Sequence, residues 1–539
     1  MTVVRKIVLV AAVAVGAAGP PGAVGQEPHH HEEEQLGTVS FPTSCAPAVQ
    51  KAFERGVALL HSFWYEEAEK QFVAVIAQAP DCAMAHWGVA MSLYHQLWER
   101  PDAADLKRGW EEMQKAQALP LKSAREREYV AALAAYYRDY DKKDHQARAT
   151  AYADGMEKTY RDHPADHEAA AFYALSLLGS EPPEDTTFAN RKKAIPILNE
   201  LFAKDPDQPG VAHYLIHSCD KPQLASMGLA AARRYARIAP SSPHALHMPS
   251  HIFIRLGLWH EAIESNLASI AATRKTAAMH MGGEGHQFHA MDFLQYAYMQ
   301  TGDDVRAKAL LDEVNGMARP MDHAMGGMDM LAFGRSQFAA RYALERHQWA
   351  EAARLEPVAT KDLEAPLITL YARAVGAARS GDAAEAAKAI GRFNAQVEQV
   401  RKGPHAYVVA HMDVPDDTMK AWLSFAQKQN EDALRLMRGA ADRQDARGLD
   451  EVEAPAREML ADMLLEMNRP QEALTEYEAT LKEAPGRFNT LYGAAHSAEL
   501  ASHPKKAGRY YAALLEACGG GAQSDRPELA HAKALVAAR

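Results

Sequence analysis

The stretch Pro240–Arg274, PSSPHALHMPSHIFIRLGLWHEAIESNLASIAATR, reads as two short amphipathic helices joined by a tight turn. Leu246, Pro249, Ser250 and Phe253 fall at i, i+3, i+4 and i+7, which is one face of a helix. Gly257 supplies the turn, Pro240 stops the preceding helix, and Ala262, Asn266 and Ser269 are small enough for two helices to cross closely. The frame recurs along the chain. It returns at Gly56, Tyr65, Ala68, Phe72 and Pro80, at Gly302, Ala307 and Leu311, and at Gly381 and Ala386. It returns again at Ala461, Leu464, Ala473, Tyr477 and Pro485, and at Ala495, Ala507 and Tyr511. A period of this size marks units that stack neighbour on neighbour. Such stacking lets 539 residues fold without a single oversized core.

The helix-turn-helix period of about 34 residues resembles the tetratricopeptide repeat, in about twelve units from about residue 46 to 517. The resemblance implies an all-α, right-handed superhelical solenoid of about twelve helical hairpins, about 24 helices, with no sheet. Two segments, DCAMAHWGVAMS (Asp81–Ser92) and HALHMPSHIFIRLG (His244–Gly257), are similar to a largely uncharacterised subfamily of exported bacterial tetratricopeptide-repeat proteins. The expected organisation is a signal peptide at 1–25, a disordered His/Glu-rich linker at 26–44, an N-terminal array at 45–320 with a His/Asp-lined groove, a C-terminal array at 321–518, and a tail at 519–539.

Export is read from the first residues. Arg5 and Lys6 precede the apolar run Ile7–Ala18, and small residues follow through Gly25. The run is shorter than the ~20 residues that span a bilayer. The expected location is therefore periplasmic or secreted, with no membrane span. Net charge is −11, and no basic stripe with interleaved aromatics suggests nucleic acid. A protein or peptide partner is expected, because helical solenoids usually bind one in their concave face. An oxidising compartment permits disulfides. Cys45 and Cys82 open the first helices of adjacent repeats and are the candidate pair, although adjacent helices can start ~10 Å apart, beyond disulfide reach. Cys219 reads as a buried thiol.

Three consecutive hairpins carry imidazole and carboxylate groups in register. His213, His247 and Asp292 each lie fifteen residues before a small residue that opens the next helix (Gly228, Ala262, Ala307), and His217, His251 and Tyr296 lie eleven before it. His244, His247 and His251 form a stripe displaced from the packing stripe of their helix, hence turned to the groove. Pairs at i, i+4 on one helix can share a metal ion. The candidate metal ligands are His213, His217, Asp220, His247, His251 and Asp292. His244, His289, Tyr296 and Arg341 are candidate ligand-binding groups, Arg341 as a partner for an anion or a peptide carboxylate.

Copper or zinc is the expected cofactor. Loops holding Met279, His280, Met281 and His286, and Met321, His323, Met325, Met328 and Met330, lean towards copper, which takes thioether ligands. The same methionines also suit plain packing at the groove edge. His61, His86, Trp87, His95 and Trp98 read as core structure near the N-terminus. No HExxH, nucleophile elbow, phosphate-cradling loop or dinucleotide fingerprint occurs. The reading is therefore an exported solenoid that binds a ligand, a peptide partner or a metal ion in a histidine-lined groove. The alternatives are a metal-dependent hydrolase or oxidase using the same cluster, and a pure protein–protein assembly scaffold.

Overall fold

One backbone device builds most of the hairpins. At residues 63, 257, 302, 347, 381, 428, 468 and 502 the chain takes positive φ, and the next residue's N–H bonds back to the carbonyl five positions earlier. Trp64 to Leu59, Leu258 to Phe253, Asp303 to Tyr298 and His503 to Ala498 are examples. This turn satisfies the last carbonyls of one helix and reverses the chain into the next. Glycine provides the left-handed position at 257, 302 and 381, whereas Phe63, His347 and Asn468 adopt it with a side chain.

The structure, a computed structural model, describes residues 34–537 except 98–99, 279–283, 318–323, 326–327, 404–405, 451, 453 and 520–523. Twelve helix pairs follow one another, from Gln50–His61 with Tyr65–Gln78 to Phe488–Leu500 with Pro504–Ala517, and the helix Pro527–Ala537 follows. The fold is an all-α helical-repeat solenoid of the tetratricopeptide type. The first helix of the sixth pair is split, because Pro249 has no N–H to give and the helix restarts after Met248 as Pro249–Arg255. In place of the expected absence of sheet, Ala324–Met325 pairs antiparallel with Met328–Asp329 in a two-residue ladder.

Two apolar cores run through the array, one from Leu36 to Phe338 and one from Leu367 to Ala532. The first extends past residue 320 into the helix Met330–Glu345, which gives Leu331 and Phe338 to it and Leu344 to the second. Residues expected in a linker are packed from Leu36 on. Leu36 and Phe41 are buried, and Thr38 donates to the Asp207 carbonyl at 2.9 Å. Residues expected in a tail form the helix Pro527–Ala537, which buries Leu529 and Ala532. Cys45 and Cys82 are disulfide-bonded with Cα atoms 4.9 Å apart, closer than helix spacing alone suggests, because Cys45 lies on the approach to its helix rather than in it. Cys219 is a buried free thiol, pushed up to about 12 by burial.

The solenoid also curls onto itself. The helix Gln50–His61 packs on the helix Pro209–Cys219, four repeats away, and Gly210 permits it: a Cβ there would stand 2.3 Å from Nδ1 of His61. Further on, Trp259 Nε1 donates to the Gly486 carbonyl at 2.9 Å, so the second array closes against the sixth repeat.

Candidate metal centre

Gln208 caps the helix Pro209–Cys219 by accepting from the Val211 N–H, and His213 and His217 follow on one face at i, i+4. Ser242 caps Pro243–His247, which carries His244 and His247, and His251 lies on the restarted segment. His289 lies on Glu284–Gln300.

These side chains form two sets of three. Nε2 of His213 lies 3.0 Å from Nε2 of both His244 and His217. Nε2 of His247 lies 3.0 Å from Nε2 of His251, and a ring nitrogen of His289 completes a group within 4.8 Å. The sets follow one rule. Each takes an i, i+4 pair from one repeat and one imidazole from the next repeat, placed three positions before that repeat's own pair position. His213 and His217 shifted by 34 residues are His247 and His251. His244 stands three before His247, and His289 stands three before Asp292. The repeat operation that builds one set therefore builds the other.

Groups behind the rings fix the tautomers. Nδ1 of His213 donates to the His61 carbonyl at 2.6 Å, and a carbonyl can only accept. Nδ1 of His247 donates to Oδ1 of Asn266 at 2.6 Å, while the Asn266 amide nitrogen is committed to the Ala262 carbonyl. Nδ1 of His251 donates to the Asp220 carboxylate at 2.8 Å, and Arg255 Nε donates to the other Asp220 oxygen at 3.0 Å. Protons at Nδ1 leave the Nε2 lone pairs of His247 and His251 facing each other, and that of His213 facing Nε2 of His217 and His244.

Burial reinforces this arrangement. His213, His244 and His247 are at most 1% exposed. Burial pushes the His213 pKa down to about 3 and holds His244 and His247 well below the ordinary imidazole range. Phe63 covers the first set, with its centroid 4.3 Å from His213, and Phe293 covers the second at 4.6–4.8 Å from His247, His251 and His289. The rings are thus an interior cluster rather than the lining of an open groove. The curled first hairpin, which supplies both Phe63 and the His61 carbonyl, makes the difference.

The other residues singled out in the sequence take different places. Asp220 stands behind His251 as an acceptor. Asp292 is held by Arg341, whose Nη1 also donates to the Asp292 carbonyl at 2.9 Å. Tyr296 accepts from Arg487 Nη1 at 2.6 Å, away from the imidazoles. His61 lies between Tyr214 and Glu168 and His86 pairs with Glu112 at 2.6 Å, as core structure, whereas His95 stacks on Tyr65 half-buried in the wall of a cavity. Met279, His280, Met281, Met321 and His323 fall outside the described residues. His286, read only as part of a loop, has its ring 4.9 Å from that of His244. Asn266 was visible as a repeat residue, but nothing in the sequence marked Phe63 or the His61 carbonyl. A separate half-buried group, His496, Glu499 and His531, lies in the last repeats, where Glu499 already accepts from Tyr511 at 2.9 Å.

A cavity of about 370 Å³ opens beside the first set, with His217 and Asp220 in its wall. Arg100, Arg191 and Lys221 around it are matched by Glu181, Asp220 and Asp450. A second, more apolar cavity of about 280 Å³ lies between helices near the start of the second array and includes Arg341, Tyr371, Phe393 and Met412.

No protein-family profile matches the chain. No curated protein matches it in sequence. Among solved structures it is similar to the human IFIT1 dimer with m7Gppp-AAAA, at 12% identity over 80% of this chain and 90% of that one, with a TM-score of 0.36. It is also similar to the APC/C hetero-tetramer Cut9–Hcn1, at 10% identity over 91% and 89%, with a TM-score of 0.30. Likeness at this level carries no argument about function.

Proposed function

We propose that this protein is an exported helical-repeat protein that binds transition-metal ions through its buried histidine sets. The observation that carries the reading is the convergence of three Nε2 atoms, with contacts of 3.0 Å, in a desolvated interior. A proton can bridge only two such nitrogens, and burial opposes its charge, whereas one metal ion at ~2.0–2.1 Å can serve all three. Imidazole donors suit copper and zinc. The charged start and apolar run of residues 1–25 support export, as does the Cys45–Cys82 disulfide. Among the described residues no helix is long and apolar enough to cross a membrane.

The test is metal analysis of full-length protein purified without an affinity tag from the exported fraction. At least one transition-metal ion per chain is expected, and its loss when both sets are disabled together in His213→Gln/His217→Gln/His247→Gln/His251→Gln. Protein that stays metal-free after incubation with copper or zinc would overturn the reading.

A second reading, a scaffold for a peptide partner, is favoured by the cavity at Arg341, where apolar walls adjoin a guanidinium. Crosslinking of a peptide with a free C-terminal carboxylate to this cavity, abolished by Arg341→Gln, would support it. Unchanged crosslinking in the variant would not.

A further inference from the structure

The rule that builds one three-histidine set places the second directly beside it. His244 and His247 stand i, i+3 on one helical turn, one in each set, so their Cβ atoms are ~5–6 Å apart. The rings of His217 and His251 have centroids 6.1 Å apart, and those of His244 and His247 6.3 Å. Ions bound at the inward nitrogens of the two sets would therefore be neighbours, with rings about 6 Å apart between them. One oxygen spans two metals at ~3.5–4 Å.

We propose that the six imidazoles hold two copper ions as one dinuclear centre, bridged by a small anion that arrives through the cavity at His217. This rests on the metal-binding reading above and adds the number of ions, their coupling and the class of ligand. Both sets consist of neutral nitrogen donors alone, and among divalent first-row ions such sites bind copper most tightly. Two divalent ions with six neutral ligands leave a buried charge of four. Asp220, a carboxylate in contact with a ligand ring, is shared with Arg255. An anion between the ions lowers that charge where it costs most. Water can supply it as hydroxide, with the proton released to solvent, and azide or a halide can replace it. The cavity suits such traffic, because His217 is in its wall.

The two sets also differ behind the rings. His213 is oriented by a neutral carbonyl and His251 by a carboxylate, so the second set is the more electron-rich. Loading should therefore be ordered, with the second set filling first with copper(II).

The experiment uses tag-free full-length protein loaded with copper(II) and freed of excess metal. Two coppers per chain are expected, with an electron paramagnetic resonance signal well below that of two isolated ions. Azide should add a new charge-transfer band at one azide per copper pair. His247→Gln/His251→Gln, checked for helicity, should keep one copper with a full single-ion signal. One copper in the parent protein, or two with the full signal of isolated ions, would overturn the dinuclear centre and leave metal binding standing. An unchanged spectrum with azide would overturn the anion bridge. A protein that binds no copper would overturn the metal-binding reading as well.

Discussion

Two buried polar clusters sit in this molecule and solve burial in opposite ways. In the first array, imidazoles aim acceptor nitrogens at common points beneath Phe63 and Phe293. Where the second array closes on the first, Arg487 is wholly buried and bonds to Glu345 at 2.9 Å, to Glu458 at 2.7 and 3.0 Å, and to Tyr296 at 2.6 Å. Gln300 and Asn489 complete Glu345, and Thr490 completes Glu458. Burial works against ionising both carboxylates, yet Arg487 holds Glu345 below its ordinary range, while Glu458 stays above its own. The Arg487 cluster is complete in itself, with each donor facing an acceptor. The imidazole cluster sets the acceptor nitrogens of His247 and His251 face to face, an arrangement that gains from a cation between them. Buried polarity is structural where charges cancel and a candidate for function where like groups converge.

The sharpest way to break this contrast is Arg487→Leu. It leaves two buried carboxylates without their guanidinium and should cost about 3–5 kcal/mol, read from urea unfolding. Copper content of the folded fraction should be unchanged. A cost near zero would mean that the cluster is not structural.

Reduction of Cys45–Cys82 comes next, at about 2–4 kcal/mol. Because repeats contact mainly their neighbours, hydrogen exchange should rise over residues 50–78, beneath which the first histidine set lies, and stay unchanged over 488–500. A uniform rise along the chain would count against this division.

The metal-free protein should also be acid-sensitive through its imidazoles. His213 keeps its neutral form down to about pH 3 in the fold, whereas the unfolded chain takes up that proton near 6.5. Below 6.5 the unfolded state therefore binds more protons, and stability falls with pH. A loss of about 1–2 kcal/mol between pH 6.5 and 5.5 is expected from unfolding midpoints. A His213→Gln/His244→Gln/His247→Gln variant should lose most of that slope, and an unchanged slope would place the sensitivity elsewhere.

The smallest effect belongs to Asn266→Ala, which removes the acceptor behind His247. Stability of the metal-free protein should drop by about 1 kcal/mol. Metal affinity should fall roughly tenfold to a hundredfold, measured by competition with a chelator. Unaltered affinity would show that Asn266 does not orient the ring.

Helix pairing, the repeat period, the disulfide candidates and the i, i+4 histidine pairs were all legible from spacing, because in a helix the face a side chain occupies follows from counting residues. The third member of each set was not. Counting repeats put Asp292 level with His213 and His247, yet neighbouring helices are staggered, so His289, three positions earlier, meets the pair from the previous repeat. Asp292 instead meets Arg341, 49 residues on, and Tyr296 meets Arg487, 191 residues on. Nor did the sequence say that the histidines would be interior. That depends on the solenoid curling until the first hairpin reaches the fifth and sixth repeats. Curvature is the sum of small rotations at each repeat interface, so no local stretch encodes it. The sequence by itself determined which groups share a helix face, since hydrogen bonds four residues apart set that. Only the tertiary structure decided which faces meet, since side-chain packing between distant repeats sets that.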